Sequence, residues 1–190
     1  MDLRTWIADE HASLWSRLQD SVIARVPPER WTEHPDHGGS CLAHLLVHAA
    51  LHADAALHAV VLDTAPLMSA WRERLGLTGL GAHQGLPEAE DTHVVTQIQV
   101  SVLLDYAQAV HAATAAWVAT GDLSVLDEVP ASSDRLARQG GVMLDEVPWL
   151  HSLWMGKTIG WFVQWECTGH WLNHLGEMIS LRNRMGLSPF

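Results

Sequence analysis

Only two cysteines, Cys41 and Cys167, occur in the 190 residues, too few for a disulfide framework. Basic residues are scarce as well: 11 Lys and Arg stand against 22 Asp and Glu, a formal charge of -11. That charge repels a phosphate backbone, and no basic stripe offsets it locally, so nucleic acid is not an expected partner. There is no run of about 18 apolar residues, so no membrane-spanning helix is expected. The opening MDLRTWIADEH lacks the basic start and apolar stretch of a signal peptide, which makes a cytoplasmic location the expectation. No segment alternates clearly enough to be a strand, and no internal repeat or low-complexity tract is present.

What the chain has in excess is histidine and tryptophan, 13 and 10 residues. Hydrophobic residues make up 48% and charged residues 17%, as in ordinary globular proteins, and the length suits one domain over 1–190. Leu3, Ile7, Leu14, Leu18 and Ile23 recur at helical spacing and predict a helix over 3–26, ended by Pro27 and Pro28. The stretch PPERWTEHPDHGGS reads as a loop with solvated His34 and His37. Ser40 is the expected N-cap of a second helix over 41–62. Residues 64–92 form an irregular connection with a short helix in LMSAWRERLGL, and a connection that long usually carries a function or covers something. A third helix is predicted over 94–120, with Leu103, Tyr106, Val110, Ala113 and Trp117 on one stripe and Gly121 as its stop. Residues 122–147 form a second long connection with a helical turn near 123–126, followed by a short helix at 148–154. The last helix is predicted over 158–185, closing at Gly186. The fold class that follows is all-α, a four-helix bundle with two long connections.

In GHWLNHLGE, His170 and His174 stand four residues apart, which puts both imidazoles on one helix face. The stripe Ile159, Val163, Cys167, His170, His174, Glu177, Leu181 is apolar at both ends and is expected to point inward. Two neutral imidazoles side by side in a core are hard to satisfy by hydrogen bonds alone, whereas a metal ion satisfies both. HxxxH also arises by chance in a chain this rich in histidine, and the glutamate of a zinc-protease motif is missing because Trp171 follows His170. The second helix holds His44, His48, His52 and His58, and spacing alone does not choose between His44 and His48. One imidazole from that helix and two from the last make a site with open positions, suited to zinc, nickel, iron or copper rather than calcium or magnesium. The Glu-x-x-His pattern of ferritin-like di-iron proteins fails in the last helix, since Gly169 follows Glu166 at that spacing and Ser180 follows Glu177.

The remaining residues have ordinary readings. Cys167 and Cys41 read first as buried small hydrophobes, with ligation by Cys167 the lesser reading. Trp161, Trp165 and Trp171 read as core packing, one of them as a candidate wall of a substrate pocket. Tyr106 reads as a packed residue with a satisfied hydroxyl, and Asp54 with His58 as a local surface pair. His11, His83, His93, His111 and His151 show no partner pattern, and Arg182 and Arg184 suit the helix dipole.

The segments SCLAHLLVHAALHADAAL and GHWLNHLGEMISLRNRMGL resemble the DinB-like (DinB/YfiT-like) superfamily of bacterial four-helix-bundle metalloproteins. LLDYAQAVHAATAAWVAT and LRTWIADEHASLWSRL are similar to it as well, and the most specific piece is HxxxHxGE followed by an Arg-containing helix end. The resemblance covers most of the chain and is weakest over 64–92 and 122–147. It implies a divalent transition metal (zinc, nickel or iron) held by His48, His170 and His174, with His52 as an outer or substrate-side group. The superfamily includes transferases and isomerases that use low-molecular-weight thiols, which implies attack of a metal-held thiolate on a small electrophilic substrate. Glu177, one turn beyond His174, is then a candidate to orient a ligand imidazole or a bound water. A hydrolase using metal-activated water and a non-catalytic metal- or small-molecule-binding stress protein are the alternatives. A homodimer fits the resemblance; the residues themselves do not specify one.

Overall fold

The structure is a computed structural model that describes residues 1–35 and 39–190; His37 lies outside the described residues. Among the described residues all regular secondary structure is helical and no strand occurs. Helix α1, Leu3–Leu18, is capped by the Asp2 carboxylate, which accepts from the Thr5 amide. It runs on into a π turn, Gln19–Ile23, and stops short of the predicted Val26 because the chain turns ahead of Pro27 and Pro28.

Helix α2, Leu42–Asp54, continues as the π turn Ala55–Val61, and every residue from Leu42 to Asp54 is buried. Its N-cap is Cys41 rather than Ser40, and the Cys41 amide is held by the Glu90 carboxylate at 2.7 Å instead of by a capping hydroxyl. Leu42–Val61 is long and apolar enough to cross a membrane, with a mean hydropathy of 1.2, but 89% of that window is buried inside the fold. It is the central helix, and alanine-rich sides let its neighbours pack closely on it.

The connection after α2 contains the short helix α3, Met68–Trp71. The predicted third helix is two helices: α4, Thr92–Gln97, and α5, Val100–Thr120. Ile98 and Gln99 are extended between them, and the Gln99 amide donates to Leu75 O at 2.9 Å, so the break is stitched to the preceding connection. Within 122–147 the turn Leu123–Asp127 forms, followed by an unpredicted helix α6, Ser132–Gly140. Leu136 of α6 is fully buried and Arg135 donates to Val60 O, which fastens α6 to the end of the central helix. Helix α7, Pro148–Trp154, has the predicted bounds. The predicted last helix is continuous but composite: α8, Ile159–Trp161, a π stretch, Phe162–Gly169, and α9, His170–Arg184.

Helix α2 packs on α5, on α9 and on the π stretch, while α1 packs on α5 and α9. One apolar cluster runs through these helices, with Leu14, Leu46, Leu57, Leu103, Phe162 and Met178 all buried. Each such side chain contributes about 1.5–3 kcal/mol on burial. Two polar residues depart from the sequence expectation. Arg182 is buried and donates to Ser21 O, so it ties α9 to the end of α1 rather than only meeting a helix dipole. Asp54 is not at the surface: fully buried, it accepts from the Leu67 and Met68 amides and the Tyr106 hydroxyl, and His58 lies 2.7 Å away. Its carboxylate thereby anchors the long connection to α2 and α5.

Candidate metal centre

The centre forms where α2 faces the composite last helix. His48 rises from α2; His170 and His174 start α9 one turn apart. His170 Nε2 lies 3.2 Å from His48 Nε2 and 2.9 Å from His174 Nε2. The three side chains each offer a nitrogen within 4.8 Å of the others, and they could hold a metal ion. Two nitrogens bound to one ion at about 2.0–2.1 Å in tetrahedral geometry stand roughly 3.3 Å apart, so spacings of 3.2 and 2.9 Å are compatible with a shared ligand set.

Tautomers make the case sharper. His48 Nδ1 donates to Gly85 O at 3.2 Å, which leaves its Nε2 with a bare lone pair. His174 Nδ1 donates to the Glu177 carboxylate at 3.1 Å, which in the neutral ring leaves Nε2 with the lone pair. Both lone pairs face His170 Nε2, which carries at most one proton. One lone pair therefore has no donor unless a cation enters, and this is the arrangement a metal ion resolves.

Burial, then the neighbouring His52 and His174 rings, push His170 down to about 2. Burial and the rings of His52, His170 and His174 likewise hold His48 far below its ordinary value. Both rings are thus neutral and free to ligate near pH 7.

The connection over 64–92 covers this face of α2 and supplies its carbonyls. Gly85 has φ 87°, a left-handed conformation that glycine adopts freely, and a Cβ there would meet Leu51 Cδ1 at 2.8 Å. His52 Nε2 donates to Leu86 O at 2.9 Å, and His44 Nε2 faces Glu88 O at 3.4 Å. His44 stays outside the three-nitrogen group, which takes His48 from this helix.

Glu166 is the residue that the sequence reading passed over as a site member. It is 1% exposed, with Oε2 3.0 Å from His52 Nδ1 and 3.7 Å from His170 Nδ1. Its Oε1 accepts from the Trp154 indole at 2.7 Å. The available signal was the four-residue step from Glu166 to His170, which a search for Glu-x-x-His does not see. The π stretch broadens the turn there and brings Glu166 and Cys167 both inward.

A cavity of about 230 Å³ opens over the imidazoles, walled by Trp149, Leu153, Trp165, Asn173 and Glu88. Of Trp161, Trp165 and Trp171, it is Trp165 that lines the pocket; Trp171 packs against Trp15 and Trp161 against Phe162. Cys167 stands outside the three-nitrogen group: its thiol faces Ala53 O at 3.8 Å, and burial pushes it up to about 12. Cys41 is also pushed up to about 12 by burial. Its neighbours His34 and Glu90 are already paired with each other at 2.6 Å. Tyr106 spends its hydroxyl on Asp54 and not on His48, His170 or His174. Comparison with protein-family models, with curated proteins and with solved structures gives no match, so the meaning of the site rests on its own geometry.

Proposed function

We propose that the chain is a DinB-like metalloprotein in which α1, α2, α5 and the composite last helix form a four-helix bundle around a divalent transition metal (zinc, nickel or iron). His48, His170 and His174 hold the ion, and Glu177 and Gly85 O fix the ring tautomers that present the ligand lone pairs. The observation that carries this reading is the convergence of His48 Nε2 and His174 Nε2 on His170 Nε2, at 3.2 and 2.9 Å. Three neutral ligands leave the ion its full charge, which lowers the pKa of a bound thiol or water.

The reaction we favour is thiol-dependent transfer or isomerisation of a small electrophile. Neither cysteine lines the cavity and both thiols are pushed up to about 12, so a nucleophilic thiol has to arrive as a cosubstrate. The cavity, about 230 Å³, suits a small molecule, and Trp149 and Trp165 offer flat apolar walls to orient it. The test compares metal-stripped and reconstituted protein for loss of chlorodinitrobenzene with low-molecular-weight thiols. Consumption that needs both metal and thiol supports the transferase. Ester hydrolysis without thiol replaces it with a hydrolase. Tight metal binding with no turnover replaces it with a binding protein.

A further inference from the structure

We infer that the centre takes a second divalent cation, held by His52, Glu166 and His170 on the inner side of the His170 ring. This goes beyond a single ion at His48, His170 and His174, and it rests on that reading only in sharing His170. Three observations carry it.

The first is spacing. His52, Glu166 and His170 each offer one ligand atom within 4.8 Å of the others, separately from the outer three nitrogens. Glu166 Oε2 is the middle atom, 3.0 Å from His52 Nδ1 and 3.7 Å from His170 Nδ1. The set joins a carboxylate oxygen to two imidazole nitrogens, a mixture that suits zinc and other late first-row divalent ions.

The second is an orphan. His170 Nδ1 is buried with no hydrogen-bond partner, and Glu166 lies beyond hydrogen-bond reach of it. With Nε2 turned to the outer ion, Nδ1 of the neutral ring carries the proton, and a buried ring N–H without an acceptor is costly. An ion at this nitrogen removes the cost. The lone pairs of an imidazole ring point away from each other, so His170 can serve the outer ion through Nε2 and the inner ion through Nδ1.

The third is the tautomer of His52. Its Nε2 donates to Leu86 O, so in the neutral ring Nδ1 presents a lone pair to Glu166 Oε2. A lone pair and a carboxylate oxygen at that distance need a cation between them, either a proton or a metal. As the metal enters, the proton on His170 Nδ1 and the one shared by His52 and Glu166 leave to bulk water. The added positive charge is met by Glu166, by the deprotonated His170 ring, and by Glu88 and Glu177 on the same cavity wall.

The experiment is zinc titration of tag-free, metal-stripped protein, read as ions bound per chain. Wild type is compared with Glu166→Gln, His52→Gln and His174→Ala, and helical circular dichroism confirms each fold. Differences from wild type cancel any zinc taken by other histidines. Glu166→Gln keeps an acceptor for Trp154, and His52→Gln attacks the same set independently if the first variant fails to fold. The expected result is one ion fewer in each of the three variants, with either set still loading when the other is disabled. If Glu166→Gln and His52→Gln bind as many ions as wild type while His174→Ala loses one, the second ion is refuted and the outer site stands. If His174→Ala loses none while Glu166→Gln does, the outer site fails and the paired arrangement fails with it.

Discussion

His174 and Glu177 sit one turn apart on α9, with His174 Nδ1 3.1 Å from the Glu177 carboxylate. That bond assigns the proton to Nδ1 and turns the Nε2 lone pair toward His170, 2.9 Å away. Replacing Glu177 with Ala frees the ring to change tautomer and orientation. The expected outcome is metal affinity weaker by about 10–100-fold, the range for a lost outer-sphere partner of a ligand histidine. The Glu177 side chain is 52% exposed, so the helical content and melting temperature stay close to wild type. Chelator competition measures the affinity; an unchanged value shows that Glu177 does not orient the ligand.

Asp54 gathers the second polar cluster of the core, and Tyr106 is its partner from α5 at 2.7 Å. Burial, then the Asp54 charge, raise the Tyr106 phenol well above its ordinary value, so the hydroxyl stays protonated and donating. Tyr106→Phe removes one donor from a buried carboxylate and is expected to cost about 2 kcal/mol of stability. Metal content is expected to be unaffected, because Asp54 and Tyr106 bond to none of His48, His170 and His174. Denaturant unfolding beside metal analysis checks both halves; loss of metal without loss of stability would contradict the assignment.

His11 and His111 stack at 4.2 Å with a 9° angle between their rings, and each Nε2 approaches the other residue's backbone carbonyl. Burial, then the His111 charge, push His11 down from 6.5 to about 4. A histidine depressed in the fold favours the native state while neutral. Its contribution is present above pH 6.5 and is lost as pH falls from 6.5 through about 4. The stability gap between wild-type and His11→Gln protein, both metal-stripped, is expected to shift by on the order of 2–3 kcal/mol over that range. Urea unfolding at stepped pH reads it; a pH-independent gap would contradict the account.

The long helices were legible because apolar residues repeat at helical spacing, and α7 was legible because Pro148 opens it. The break at Ile98–Gln99 was not, since its cause is a backbone carbonyl of Leu75 far back in the chain. Asp54 resembled a surface partner of His58 because its other partners, Leu67, Met68 and Tyr106, arrive only with the tertiary fold. The pair His170 and His174 was visible from spacing, whereas the preference for His48 came from resemblance. In the structure the Gly85 carbonyl holds His48 Nδ1, and His48 Nε2 lies 3.2 Å from His170 Nε2. Glu166 was hidden by the π stretch, because a 3.6-residue wheel does not describe a widened turn.

The most direct measurement is elemental analysis of untagged protein after gel filtration, wild type beside His170→Ala. His170 Nε2 is where the His48 and His174 lone pairs meet, so wild type is expected to retain zinc, nickel or iron. The variant, folded by circular dichroism, is expected to lose nearly all of it. A folded His170→Ala protein with wild-type metal content would place the ion elsewhere and contradict the central claim.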